Sequence, residues 1–174
     1  VWDKAYREPA SKPITDKPTV ILFGDTFNRS FETKNLYAAR EVLEAMGYEV
    51  IEPKPDDRSV CCGRTFLASG LIDQAKKEAA RLVETVMPWV RKGIPLVGLE
   101  PSCLLTLRDE FQVLLPSDDV KLLAKYAFLF EEFIESELRA ERATLNLVEA
   151  QCSEALVHGH CHQKAARSMA PVEA

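Results

Sequence analysis

Short apolar, β-branched runs alternate with amphipathic helical stretches along this chain, and that alternation restricts the fold more than any other feature. "TVILFGD" (19–25) has the pattern of a buried strand closed by Gly-Asp. In "KNLYAAREVLEAMG", Leu36, Ala39, Leu43 and Met46 recur at helical spacing, with Gly47 as the stop. "YEVIEP" (48–53) reads as a second strand halted by Pro53. After Gly70, Ile72, Ala75, Ala79, Leu82 and Val86 mark one face of a long helix that Pro88 should kink or end and Gly93 should close. "IPLVGLEP" (94–101) is a third strand, followed by a short helix capped by Ser102. Ser117 opens a further helix to about Glu141, with Leu122, Tyr126, Leu129, Phe133 and Leu138 inward. "EALVHGH" (154–160) is expected as a fourth strand and "CHQKAARSMA" as the start of a helix. Such a chain predicts an α/β protein with a doubly wound, mainly parallel, Rossmann-like sheet flanked by helices. Right-handed crossovers place every strand-to-helix turn on one edge, so "GDTF", "CCGR", "PSC" and "HGHCH" are expected around a single cleft.

Charge removes one class of function. A net charge of −5 supplies no basic stripe to replace counterions on phosphates, so no nucleic-acid partner is expected. No apolar run approaches the roughly 20 residues of a membrane span. Residues 1–18 are polar, carry Pro9, Pro13 and Pro18, and read as a linker or arm. With no signal-type segment at Val1, the expectation is a cytoplasmic domain excised from something longer, free or peripheral at the inner face of the membrane.

The five cysteines, Cys61, Cys62, Cys103, Cys152 and Cys161, are odd in number and include an adjacent pair, which suits metal or redox chemistry better than a secreted disulfide framework. A lone cysteine is ordinarily a small buried hydrophobe, and Cys152 has that reading. Cys61 and Cys62 lie instead between a charged loop and Gly63-Arg64, and neighbouring side chains cannot both face one core. Two adjacent thiolates on a glycine-permitted turn suit a soft metal or an iron–sulfur cluster, with Arg64 available to stabilise the charge. Cys103 falls at a strand end and helix start, where unpaired N–H groups favour a thiolate. "HGHCH" holds all three histidines; His160 and His162 flank Cys161 as supporting donors or occasional ligands. Zinc is an alternative, although neither C-x2-C nor H-x3-H spacing occurs. A Cys161–His nucleophile pair is conceivable but leaves the Cys-Cys-Gly element unexplained. No G-x-G-x-x-G, P-loop or G-x-S-x-G is present.

"VCCGRTFLASGLIDQA", "GLEPSC" and "HGHCHQKA", in that order, resemble the cysteine-rich CCG domain found in heterodisulfide reductases, in the iron–sulfur subunits of glycolate and lactate oxidases, and in glycerol-3-phosphate dehydrogenases. The version fused behind an FAD-linked oxidase domain and a ferredoxin-like segment is the most similar, since its first strand also ends in "DTF". The resemblance spans roughly residues 19–166 and implies two halves: one complete at 19–151, a second opening at 152–174. It implies that Cys61, Cys62 and Cys103 ligate a [4Fe–4S]-type cluster and that Cys161 leads the second half. Asp25-Thr26 stand where the most cysteine-rich relatives have a first cysteine, and Thr106 where they have the second of C-x-x-C. A five-cysteine site therefore cannot form in this half. Either the cluster is shared, with Cys161 and a histidine (His160 or His162) or Asp25 completing it, or the half is a degenerate scaffold. The function implied is electron transfer from a flavin, FAD in a domain outside this chain, to a quinone or carrier, in an enzyme oxidising a 2-hydroxy acid such as lactate or glycolate. Disulfide reduction and a zinc-binding or metal-free scaffold are the alternatives, and the fragment alone is expected to show no turnover.

Overall fold

The computed structural model describes residues 17–53, 58–148, 154–166 and 169–174. The sequence-based arm therefore lies almost wholly outside the described residues, as do Cys152 and the proposed boundary near 151. Four parallel strands form one sheet in the order β2-β1-β3-β4, where β1 is Thr19–Phe23, β2 Glu49–Ile51, β3 Leu96–Gly98 and β4 Ala127–Leu129. Between β1 and β2 run α1 (Thr26–Ser30) and α2 (Thr33–Ala45). Between β2 and β3 come α3 (Arg64–Ala68) and α4 (Ile72–Val90). Helices α5 (Pro101–Arg108), α6 (Glu110–Leu114) and α7 (Asp118–Tyr126) lead to β4, and α8 (Phe130–Arg139), α9 (Cys161–Ala165) and α10 (Ala170–Glu173) follow it.

Successive strand side chains point to opposite faces, so an apolar run such as "VILF" needs cover on both. Ile21 and Phe23 enter a core with α4, α5 and α7, through Ala79, Leu82, Val86, Leu104, Leu107 and Leu123. Val20 and Leu22 enter a second core with Leu36, Ala39 and Leu43 of α2 and Phe133 of α8. Helices thus cover both faces, and the doubly wound α/β architecture stands. Among the described residues no helix is long and apolar enough to cross a membrane.

Three local expectations are corrected. The expected helix from Ser117 to about Glu141 is broken by β4, whose Ala127 and Leu129 are buried beside Leu96 and Gly98 of β3. Arg108 donates from Nε to the carbonyl of Ala127 at 2.8 Å and pairs with Glu132, whose carboxylate accepts the N–H of Leu129 at 3.0 Å. Those contacts hold the chain extended against its helical periodicity. "EALVHGH" is not a strand: it pairs with no described strand, and Leu156 is fully exposed. Finally, α5 is capped by Glu100, not Ser102. The Glu100 carboxylate accepts the Ser102 N–H at 3.2 Å and its hydroxyl at 2.7 Å. Helix α4 ends at Val90, two residues past Pro88, near the stop expected there.

Candidate functional site

The chain leaves β1 for β2 on one side, then returns to β3 on the other, so the connections diverge between β1 and β3. In open α/β sheets the crevice beyond the carboxyl ends at such a divergence is the usual ligand site. Here the end of β1 supplies Asp25 and Thr26, and the end of β3 supplies Glu100 and Cys103. The Cys61-Cys62-Gly63 turn reaches the same edge, since the Thr26 hydroxyl donates to Cys61 Sγ at 3.6 Å.

Backbone geometry explains the turn. Gly63 has φ 74°, a left-handed conformation that disfavours a side chain. A Cβ there would also lie 2.9 Å from the carbonyl oxygen of Ala75 in α4. The glycine lets the turn sit against α4 with its N–H directed back to Cys61 Sγ at 3.4 Å. Cys62 is buried in the same apolar core as Cys103, while Cys61 is half-buried. The pair thus splits between core and cleft, as adjacent side chains must.

Cys62 lies between the other two thiols, close enough to interact with Cys61 on one side and with Cys103 on the other. The Cys103 contact, together with burial, pushes the Cys62 thiol up to about 12. The bond with Cys62, then burial, raises Cys61 well above the ordinary thiol range, against the donors Gly63 and Thr26. All four described cysteines are free. Among the described residues no group of three or more His, Cys, Asp or Glu side chains converges to hold a metal ion. In kind, three soft thiols fit an iron–sulfur group; in number they fall one short of the four cysteines that common clusters take.

The other expected residues surround the row without joining it. Asp25 is buried and spent as the cap of α1, accepting the N–H groups of Phe27 (2.9 Å) and Asn28 (3.1 Å) and the Asn28 amide (2.6 Å). Burial raises its pKa above the ordinary carboxylate value. Thr106 is buried one turn after Cys103, and its hydroxyl donates to the Ser102 carbonyl at 2.8 Å. Arg64 is committed to Glu110 and to His162 Nε2, at 2.8 Å from the latter. Helix α9 packs against α5, bringing His160 Nε2 to 3.6 Å from Glu100 Oε1. Cys161 and His158 are exposed. Sequence reasoning missed Glu100 and Glu110. Glutamate three residues before Cys103 has a capping signal only once α5 is known to start at Pro101.

An open hollow of about 430 Å³ lies at the opposite, amino edge, among Thr19, Ile94, Tyr126, Phe133 and Arg142. It is remote from the thiols in the fold, at the other end of the strands.

Residues 26–108 match the family described as the cysteine-rich domain, CCG. One subunit of the anaerobic glycerol-3-phosphate dehydrogenase of Escherichia coli (strain K12) is 33% identical over 118 residues, 66% of this chain and 28% of that protein. D-2-hydroxyglutarate dehydrogenase of Pseudomonas putida is 29% identical over 101 residues, 58% of this chain and 10% of that protein. Lactate utilization protein A of Bacillus subtilis (strain 168) is 29% identical over 149 residues, 82% of this chain and 57% of that protein. The chain therefore spans little more than a quarter of the glycerol-3-phosphate dehydrogenase polypeptide it matches. No solved structure matches it.

Proposed function

We propose that this chain, whose residues 26–108 match the cysteine-rich CCG family, is part of the electron-transfer module of a flavin-linked dehydrogenase. The observation that carries the reading is the row of three free thiols at the carboxyl edge, where β1 and β3 part. Cys61, Cys62 and Cys103 would hold an iron–sulfur group of [4Fe–4S] type, with Cys161 as the ligand contributed by the opening of a second half. When bound, such a group accepts and returns single electrons.

The chain's own residues orient and shield. Gly63 N–H and the Thr26 hydroxyl donate to Cys61 sulfur, the arrangement that stabilises thiolate charge. Cys62 and Cys103 sit in apolar core, which keeps water from that side of the row. FAD, in a separate domain, would take the hydride, and a quinone or carrier would receive the electrons. A 2-hydroxy acid such as lactate or glycolate is the proposed electron donor, because lactate and 2-hydroxyglutarate stand in the names of two relatives.

Iron, acid-labile sulfide and zinc, with EPR, in the full-length parent purified without oxygen test the reading. Cys62→Ser should lower iron and sulfide while leaving flavin content intact, and Cys152→Ser should change neither. Equal iron in wild type and Cys62→Ser would sink the assignment. Stoichiometric zinc in a colourless protein would make the site a structural one.

A further inference from the structure

Two imidazoles of the "HGHCH" segment are each held at one nitrogen by a donor that cannot reverse its role. Arginine remains protonated in proteins and only donates. Arg64 Nη2, 2.8 Å from His162 Nε2, therefore makes that nitrogen the acceptor, and the proton of neutral His162 sits on Nδ1. The backbone N–H of His162 donates in turn to His160 Nδ1 at 3.1 Å, which puts the His160 proton on Nε2, facing Glu100 Oε1 at 3.6 Å. The two rings stack 5.1 Å apart at 17°. The next residue, Gln163, is buried and donates its amide to Glu131.

An imidazole ligates a metal through a lone pair, and each ring has its one lone pair already engaged. His162 Nδ1, which carries the proton, is buried without a hydrogen-bond partner among the described residues. An orphaned buried donor is a costly feature to leave unfilled. Cys161, between the two histidines in sequence, is exposed and is the segment's soft group.

We infer that His160 and His162 are positioning residues and not ligands. Arg64 and the His162 backbone N–H fix their tautomers and occupy the lone pair of each ring, which leaves Cys161, and not these two imidazoles, as the ligand proposed for this turn. The role assigned to Cys161 rests on the iron–sulfur reading; the tautomers do not.

Only three histidines occur, so the ring nitrogens can be resolved in long-range proton–nitrogen NMR spectra of this protein at neutral pH. The expected spectrum has His162 protonated at Nδ1 and His160 at Nε2. In Arg64→Ala the His162 signals should move toward the Nε2–H form. A wild-type His162 protonated at Nε2, or averaging between forms, overturns the inference without any variant. In the full-length parent, His160→Gln and His162→Gln should retain wild-type iron and sulfide with a shifted EPR signal, whereas Cys161→Ser loses iron. Iron loss in the histidine variants equal to that of Cys161→Ser also overturns it. A parent without iron defeats the cluster reading alone, and the tautomer spectrum then still decides the positioning role.

Discussion

Gly63 illustrates how much one residue decides when backbone and packing constraints coincide. Gly70 has the same φ of 74°, but a Cβ there meets nothing within 4 Å. At Gly63 the added carbon meets the Ala75 carbonyl at 2.9 Å, a backbone atom that cannot turn aside. Gly70→Ala should therefore cost about 1 kcal/mol, the left-handed penalty alone. Gly63→Ala should cost about 1–3 kcal/mol in excess of that, as strain at a doubly constrained position. Chemical denaturation of both variants checks the difference, and equal losses would show that the turn's fit against α4 is not what requires the glycine. The same local accounting holds at Asp25. Its two oxygens are taken up by Phe27 and Asn28, so the carboxylate serves the start of α1.

Elements are tied together at the amino edge by Tyr48, Glu137 and Arg142. Tyr48, just before β2, donates its hydroxyl to Glu137 of α8 and stacks edge-on against Phe133 with centroids 5.2 Å apart. Arg142 adds two bonds to the same carboxylate, at 3.0 and 2.7 Å. Arg142 first, then the Tyr48 hydroxyl, hold the Glu137 pKa below the usual glutamate value. Burial, then the bond to Glu137, push Tyr48 above its own. A carboxylate with a folded pKa below its unfolded one stabilises fully above the unfolded value. That contribution is lost as pH falls through the folded value. Wild type should therefore lose stability as pH falls from the unfolded glutamate value through the lower folded one, and Arg142→Ala should lose less of it over the same fall. Thermal melts at the two ends give the comparison; identical acid losses would remove Glu137 from the account. This connection between β2 and α8 was not legible from sequence, because its partners are 89 residues apart and each alone is an ordinary polar residue.

At the scale of the whole molecule, "EALVHGH" is the informative disagreement. Its apolar alternation is that of a strand, yet Leu156 and Val157 are exposed and no described strand lies beside it. A strand needs the hydrogen-bonding edge of a neighbour, and pattern alone does not supply one. Backbone amides of residues 154–158 should exchange rapidly in this protein and those of β1 slowly. In a longer protein carrying a second half they should become protected. Protection in the 174-residue chain itself would show that the segment pairs without such a half.

Composition and periodicity determined the α/β class, three of the four strands, both faces of cover, and the gathering of "GDTF", "CCGR" and "PSC" on one edge. These follow from local rules: alternation of apolar side chains, helical spacing, and the handedness of crossovers. The doublet stood out in the sequence because neighbouring side chains cannot both face one core, and the structure splits the pair accordingly. Only the tertiary structure decided that Cys62 turns into the core and Cys61 toward Thr26. It also decided that Arg64 pairs with Glu110 and His162, and that three strand residues interrupt a helical pattern at Ala127–Leu129. Each of those outcomes depends on a partner far away in sequence, whose position is set by packing and by which hydrogen-bonding groups burial leaves to be satisfied.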